Sequence, residues 1–562
     1  MKSAIRPRIS LVLVGFVLWS PVALGAPKDV DTILKMIPGD APVSGFALNL
    51  VEFEKSLGAL TQRLDPEEEK PTIIADLKEE IPFAAAADFT KPVGFVARSL
   101  GDLEEPMVLL PVADFETRIK EHGGKPGEDG IWSLGEVETL IVYLKPLAGG
   151  YVAVAGSKEE LAAVGAPEKS LASLMKGRKK LLHERDLFIH VNVEAFQQTA
   201  EQKLAQFGAA IPMFAMMAAQ GGDPITTIAT LTALFEGFKS FVAQLTCVDI
   251  AINLDEKVGA AAVAASFKEG GIKSFLAKTK PAKQKFFTNI EDQPFFIAVG
   301  SHVPGGMSEL FDYLLKTFEQ SVQTAAPMAG PQADPSAALE NFKVSVEMNK
   351  MTEGGNMLMA LSPDGMKMIS DLIVKDTDEY MALFRKSEET VGPMIQQFGG
   401  GMEVETLGPT KIQGVDVEMF KLKAPAAQPG MPAMPSFLAE GARYGVGVVK
   451  DRVRQCMGNE KDMEEAFKAK TENPLSASER MKDALKSVPK KHNMVVLVDP
   501  MGLLPFARAF MPGAPPQPPQ ATPAEPILIW ISLSGDPAEM EISVPLQTIE
   551  QLVRSTEPPE PT

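Results

Sequence analysis

The chain of 562 residues holds only 2 Cys, 5 His, 3 Trp and 5 Tyr. Two cysteines cannot staple a disulfide-built scaffold, and five histidines leave little material for a metal cluster or an imidazole-based mechanism. Basic side chains are also in deficit. Fifty-five Lys+Arg stand against 73 Asp+Glu, a net charge of −18 that argues against a polyanion-binding face. Trp and Tyr are too few for a carbohydrate-stacking groove. Beyond the N-terminal segment, no stretch reaches the roughly 18 consecutive apolar residues of a membrane-spanning helix. What is present reads as globular: 45% hydrophobic and 23% charged residues, with 45 Gly and 45 Pro, below the low-complexity range.

The N-terminus carries an export signal. Lys2, Arg6 and Arg8 form a basic region, Ile9 to Trp19 an apolar one, and Ala23-Leu24-Gly25 places small residues at a cleavage site before Ala26. The apolar run is short for an anchor and is broken by Gly15, Ser20 and Pro21. Residues 1–25 are therefore expected to be removed and the rest to act in the periplasm or outside the cell, with no transmembrane anchor. Losing three basic residues takes the net charge from −18 to −21.

The remainder divides into two related halves, 26–285 and 286–562. Each repeats a strand followed by a polar residue and an amphipathic helix. The first copy is Phe46 to Phe53, continued by Leu57, Leu60 and Leu64; the second is Ile189 to Phe196, continued by Ala200, Leu204 and Phe207. Looser copies open at Phe296 and Val496. Hairpin-like segments at Val248–Ala265, Val344–Leu361 and Ile527–Val544 each precede a helix. The expected fold is α+β: two related halves of antiparallel sheet with packed amphipathic helices. Cys456 reads as helical. Pro-rich stretches at 325–338, 424–436 and 512–526 read as solvated loops of the second half. The basic turns Lys176 to Lys180 and Lys490-Lys491 read as solvated rims able to touch anionic envelope polymers.

Catalytic motifs are missing wherever their spacing can be checked. Gly399-Gly400-Gly401 lacks the Lys-Ser/Thr of a phosphate-binding loop. His183-Glu184 and His190 do not fall on one helical face, as a zinc protease requires. Gly300-Ser301-His302 lies between strand and helix but lacks the flanking glycines of a nucleophile elbow. Asp376 to Glu379 fits an acidic helix N-terminus rather than a calcium loop. No cofactor is implied. Cys247 and Cys456 are open to two readings, one disulfide or two buried thiols. Neither has a histidine close by in sequence. Met213, Phe214, Met216 and Met217 crowd into one segment and read first as ordinary core filling, with an adaptable apolar ligand surface as the alternative.

Ile37-Pro38-Gly39-Asp40-Ala41-Pro42 with its following strand, and Val108 to Phe115, resemble uncharacterised exported proteins of planctomycete-like bacteria. Those open on a Leu-Pro-Ala-Asp-like turn and carry a strand, Pro-Val-x-Asp-Phe/Tyr, helix signature; Ile37 and Gly39 depart from the usual Leu and Ala. The resemblance implies export and a style of fold, and supplies no catalytic residues. The expected function is that of a non-catalytic envelope protein, a binding or interaction module whose partner is an envelope protein or a hydrophobic ligand and not nucleic acid. A carrier of lipid in an apolar cavity is the alternative, and a hydrolase with an unrecognised site the third reading.

Overall fold

The computed structural model describes residues 30–556 except 65–67, 100–105, 128, 138–139, 163, 177, 179–181, 183–184, 219–223, 255–256, 283–284, 304–306, 330–334, 363–364, 399–402, 424–441 and 503–524. Residues 1–25, the expected signal peptide, and the Pro-rich stretch 424–436 lie outside these residues, as do 512–524. The chain is α+β, and every strand pairing given below is antiparallel.

Ten strands come first: β1 (Val43–Ala47), β2 (Val93–Ala97), β3 (Met107–Pro111), β4 (Lys125–Pro126), β5 (Trp132–Val137), β6 (Leu140–Leu147), β7 (Tyr151–Ala155), β8 (Leu187–Asn192), β9 (Leu245–Leu254) and β10 (Val258–Phe267). Ten follow: β11 (Ile297–His302), β12 (Thr352–Ser362), β13 (Gly365–Val374), β14 (Glu403–Ile412), β15 (Val415–Lys423), β16 (Ala442–Val449), β17 (Arg452–Gly458), β18 (Met494–Val498), β19 (Ile527–Ser532) and β20 (Ala538–Pro545). In the first series β9, β8, β1, β2, β3, β7, β6, β5 and β4 are neighbours in that order. The second series repeats the order with β19, β18, β11, β12, β13, β17, β16, β15 and β14.

Two compact units form. One contains residues up to Gln198, Leu245–Ser266 and Glu539–Thr562; the other contains Thr199–Gln244 and Phe267–Ala538. The units therefore do not divide at residue 285, because β20 and the helix Leu546–Thr556 join the first unit, where the Leu546 N–H donates to the Lys257 carbonyl.

In the first unit side chains alternate across the sheet and both faces are buried. Phe46, Phe188 and Ala251 pack beneath the helix Val30–Met36 and with Leu161, Leu171 and Met175. Ala47, Leu187 and Ile189 face Phe53, Phe83 and Phe115. The strand Met107–Pro111, Asp114 in a left-handed conformation and the helix Phe115–Glu121 realise the Pro-Val-x-Asp-Phe segment. The second unit has an equivalent core of Phe286, Phe287, Ile290, Leu497 and Leu528. Its helix Pro224–Gln244 packs on Met307–Ala329, that one on Pro335–Met351, and that in turn on Thr377–Phe398.

Three local expectations are corrected. Val344 to Met348 belongs to the helix Pro335–Met351, because Leu339, Phe342 and Val346 also keep helical spacing, and Leu339 and Phe342 pack on Phe318 and Val322. Of the 325–338 stretch, residues 325–329 and 335–338 are helical rather than loop. Alanine favours helix, and Pro335 stands at the first helical position, where its fixed φ fits. Cys456 lies in β17, since Lys450, with φ of 60°, turns the chain back from β16 into a hairpin.

Candidate functional site

The two series can be superposed residue by residue through their hydrogen bonds. Leu48 N–H donates to the Asp186 carbonyl at 2.8 Å, as His302 N–H does to Asn493 at 2.8 Å. The Asp186 N–H reaches the Ile252 carbonyl and the Asn493 N–H that of Ile531. Asn192 N–H meets Pro42, and Asp499 N–H meets Phe296. Even a side-chain bond recurs: Leu254 N–H donates to Asp186 Oδ2 at 3.1 Å, and Leu533 N–H to Asn493 Oδ1 at 2.8 Å. Asp186 and Asn493 are thus the same position. Burial pushes the Asp186 carboxyl up to about 7.

With that register fixed, one row of the first sheet differs in kind from its counterpart. Ser44 on β1 lies opposite His190 on β8, which lies opposite Asp249 on β9. The corresponding row of the second sheet is Ala298, Leu497 and Leu528. All six side chains are buried. The fold accepts an apolar row here, so the polar one in the first unit is not required by the architecture.

The polar row is a connected network with one loose end. His190 Nδ1 is 2.7 Å from Asp249 Oδ1. The other carboxylate oxygen of Asp249 accepts a bond from the Arg178 guanidinium, which also donates to Ser266 Oγ at 2.6 Å. Arg178 therefore turns inward, unlike the exposed Lys176, Lys490 and Lys491, and is no part of a solvated rim. Ser44 Oγ has no hydrogen-bond partner despite complete burial. Cys247 precedes Asp249 on the same face of β9, opposite Asn192, and is half-buried. A ring nitrogen of His190, the Cys247 sulfur and an Asp249 oxygen lie within 4.8 Å of one another, which makes them the group able to hold a metal ion among the described residues.

A second buried ion cluster has a different character. Asp371 on β13 bonds Arg452, Arg454 and Asn289, and Arg454 also donates to the carbonyls of Ala466 at 2.7 Å and Lys468 at 2.9 Å. Its equivalents in the first sheet, for Asp371 and Arg454, are Leu109 and Ala153. With its donors engaged, Arg454 bolts the helix Glu460–Ala466 to the sheet.

Neither cysteine forms a disulfide. Cys456 is buried among apolar residues, which pushes its thiol up to about 12, so it is inert. Cys247, by contrast, gains through strand pairing the histidine it lacks in sequence. Met213, Phe214, Met216 and Met217 fall on the helix Val193–Ala218, with side chains outside the described residues. Ser301 and His302 sit inside β11 on opposite faces and cannot act together. Asp376 Oδ1 accepts the N–H groups of Asp378 and Glu379 at the helix start. Two clefts open among the described residues. One of about 320 Å³ is lined by Lys411, Arg443, Glu460 and Met463, and one of about 220 Å³ by Ser345, Tyr380 and Gln455. No helix among the described residues is long and apolar enough to cross a membrane. Comparison with family models, curated proteins and solved structures returns no match.

Proposed function

We propose that the protein is an exported, non-catalytic interaction module of the cell envelope, and that it pairs with a second copy of itself through the helices Val193–Ala218 and Pro224–Gln244. The observation carrying this reading is an exposed aromatic stripe. Phe207 is 57% exposed, Phe238 54% and Phe241 40%. Leu204 and Phe207 on one helix, and Leu231, Phe238 and Phe241 on the other, keep the spacing of a helix-packing seam. The rings of Phe207 and Phe235 meet at 5.8 Å, so the two helices touch at mid-length. Between Lys203 and Glu236 the sequence has a single charge, Asp223. On a chain of net charge −18, two copies that repel elsewhere can approach at this face, and the complement each copy needs is the same stripe on the other.

Sedimentation equilibrium over a range of concentrations tests it. The mature chain is expected to dimerise, and Phe207→Glu with Phe238→Glu to remain monomeric with an unchanged far-ultraviolet spectrum. A wild type that stays monomeric at about 100 µM, a weak-complex concentration, overturns the pairing. The lipid-carrier alternative draws less support from the cleft of about 320 Å³, because Lys411, Arg443 and Glu460 line it.

A further inference from the structure

We propose that His190 and Cys247 form a binding site for a thiophilic monovalent cation, copper(I), with Asp249 as the residue that positions the imidazole. Three independent observations converge on it. The donors are gathered: imidazole, thiol and carboxylate lie within 4.8 Å of one another. The polar row occupies positions where the sister sheet places Ala298, Leu497 and Leu528, and the residue equivalent to Cys247 is Pro526, so nothing in the fold asks for these groups. And Ser44 Oγ, fully buried beside His190, is left unbonded. A buried polar group without a partner is destabilising, so stability alone does not account for this hydroxyl.

The bonding already present decides which ligand fits. Both Asp249 oxygens are engaged, one by His190 and one by Arg178. Asp249 therefore serves as the carboxylate behind a metal-bound histidine, fixing the tautomer with the proton on Nδ1 and leaving Nε2 to bind. Two strong donors remain, His190 Nε2 and Cys247 Sγ. Zinc in a structural site asks for four. Thiolate and imidazole donors suit copper(I), which is satisfied by two. Charge agrees: with Cys247 ionised, the thiolate and Asp249 outnumber Arg178 by one negative charge, which a monovalent cation cancels and a divalent one overshoots. Binding exchanges the Cys247 proton, released to solvent, for the cation. Cys247 is only half-buried, so an ion can reach it.

Anaerobic titration of the reduced full chain with copper(I), against a chromophoric chelator, tests the site. One equivalent is expected to bind wild type. Cys247→Ser and His190→Leu should each weaken binding at least about 100-fold, and Asp249→Asn about 10- to 100-fold. Cys247→Ser and His190→Leu retaining full binding would overturn the proposal, since copper would then sit elsewhere, Met213, Met216 and Met217 being the obvious thioethers. Absence of a bound equivalent in wild type would overturn it outright, and Zn²⁺ outcompeting copper(I) at the same two residues would overturn the charge argument. A measurement on wild type alone guards against variants that fail to fold: maleimide should label Cys247 but not the buried Cys456, and one equivalent of copper(I) should block that labelling. Labelling that continues unchanged counts against the site.

Discussion

Asp186→Asn should make the protein more stable at pH 8 and leave it unchanged near pH 3. The chain contains its own precedent, because Asn493 stands at the same position of the second sheet and accepts the same backbone N–H. Burial raises the Asp186 carboxyl from 3.8 to about 7. The native state then holds a proton that the unfolded chain has already released. Stability is accordingly lost as pH rises from about 4 to about 7, and the loss is complete above 7. At about 1.4 kcal/mol for each pH unit the full effect is about 4 kcal/mol, with more than half of it falling between pH 5 and 8. Asparagine carries no charge at any of these values, so the variant lacks this slope. Urea unfolding of both proteins at pH 3, 5, 6, 7 and 8, read as the difference between them, cancels every other titrating group. A difference that stays flat across the series, or one in which wild type gains on the variant as pH rises, would refute the reasoning.

Arg178→Leu alone leaves the buried Asp249 charge short of a partner and should cost about 3–5 kcal/mol. Adding Ser44→Ala, His190→Leu and Asp249→Leu, the residues of the sister row, should restore stability to wild type or above it in the same urea assay. A fourfold variant as unstable as the single one would make the polar row structural cement. Gly45→Ala should be destabilising by about 1–3 kcal/mol in thermal unfolding. A methyl there would stand 2.2 Å from the Phe188 carbonyl and 2.7 Å from the Phe95 ring; an unchanged midpoint would mean that β1 and β8 can shift apart.

The strand, polar residue, helix pattern is legible because β1, β8, β11 and β18 are short apolar runs bounded by polar residues, with both faces buried in most of β1 and β8 and one face buried in β11 and β18. In the first copy the polar residue between strand and helix is Asn49, whose side-chain oxygen accepts the Glu52 N–H at 3.1 Å at the helix start. Helix and strand were confused where both periods fit, as at Val344 to Met348. The candidate site was not legible in the search for motifs, because its members come from residues 44, 178, 190, 247 and 249. Strand pairing, not spacing, unites them. One signal could have found them: in strands that are otherwise apolar, Ser44, His190 and Asp249 are misplaced, and setting the first series beside the second puts Ala298, Leu497 and Leu528 against them.

That contrast separates two kinds of buried charge in one chain. At Asp371 the polar groups close on each other, with Arg452, Arg454 and Asn289 meeting the carboxylate and Arg454 continuing to two carbonyls. Such a cluster fixes the register of strands and the seat of a helix, and has nothing left to bind with. At Asp249 the network stops short: a thiol lies within reach, the imidazole has a second nitrogen, and Ser44 stays unbonded. Two series of strands with the same order therefore carry polar groups at different places to different ends. The position of each is best judged by what the other sheet does without.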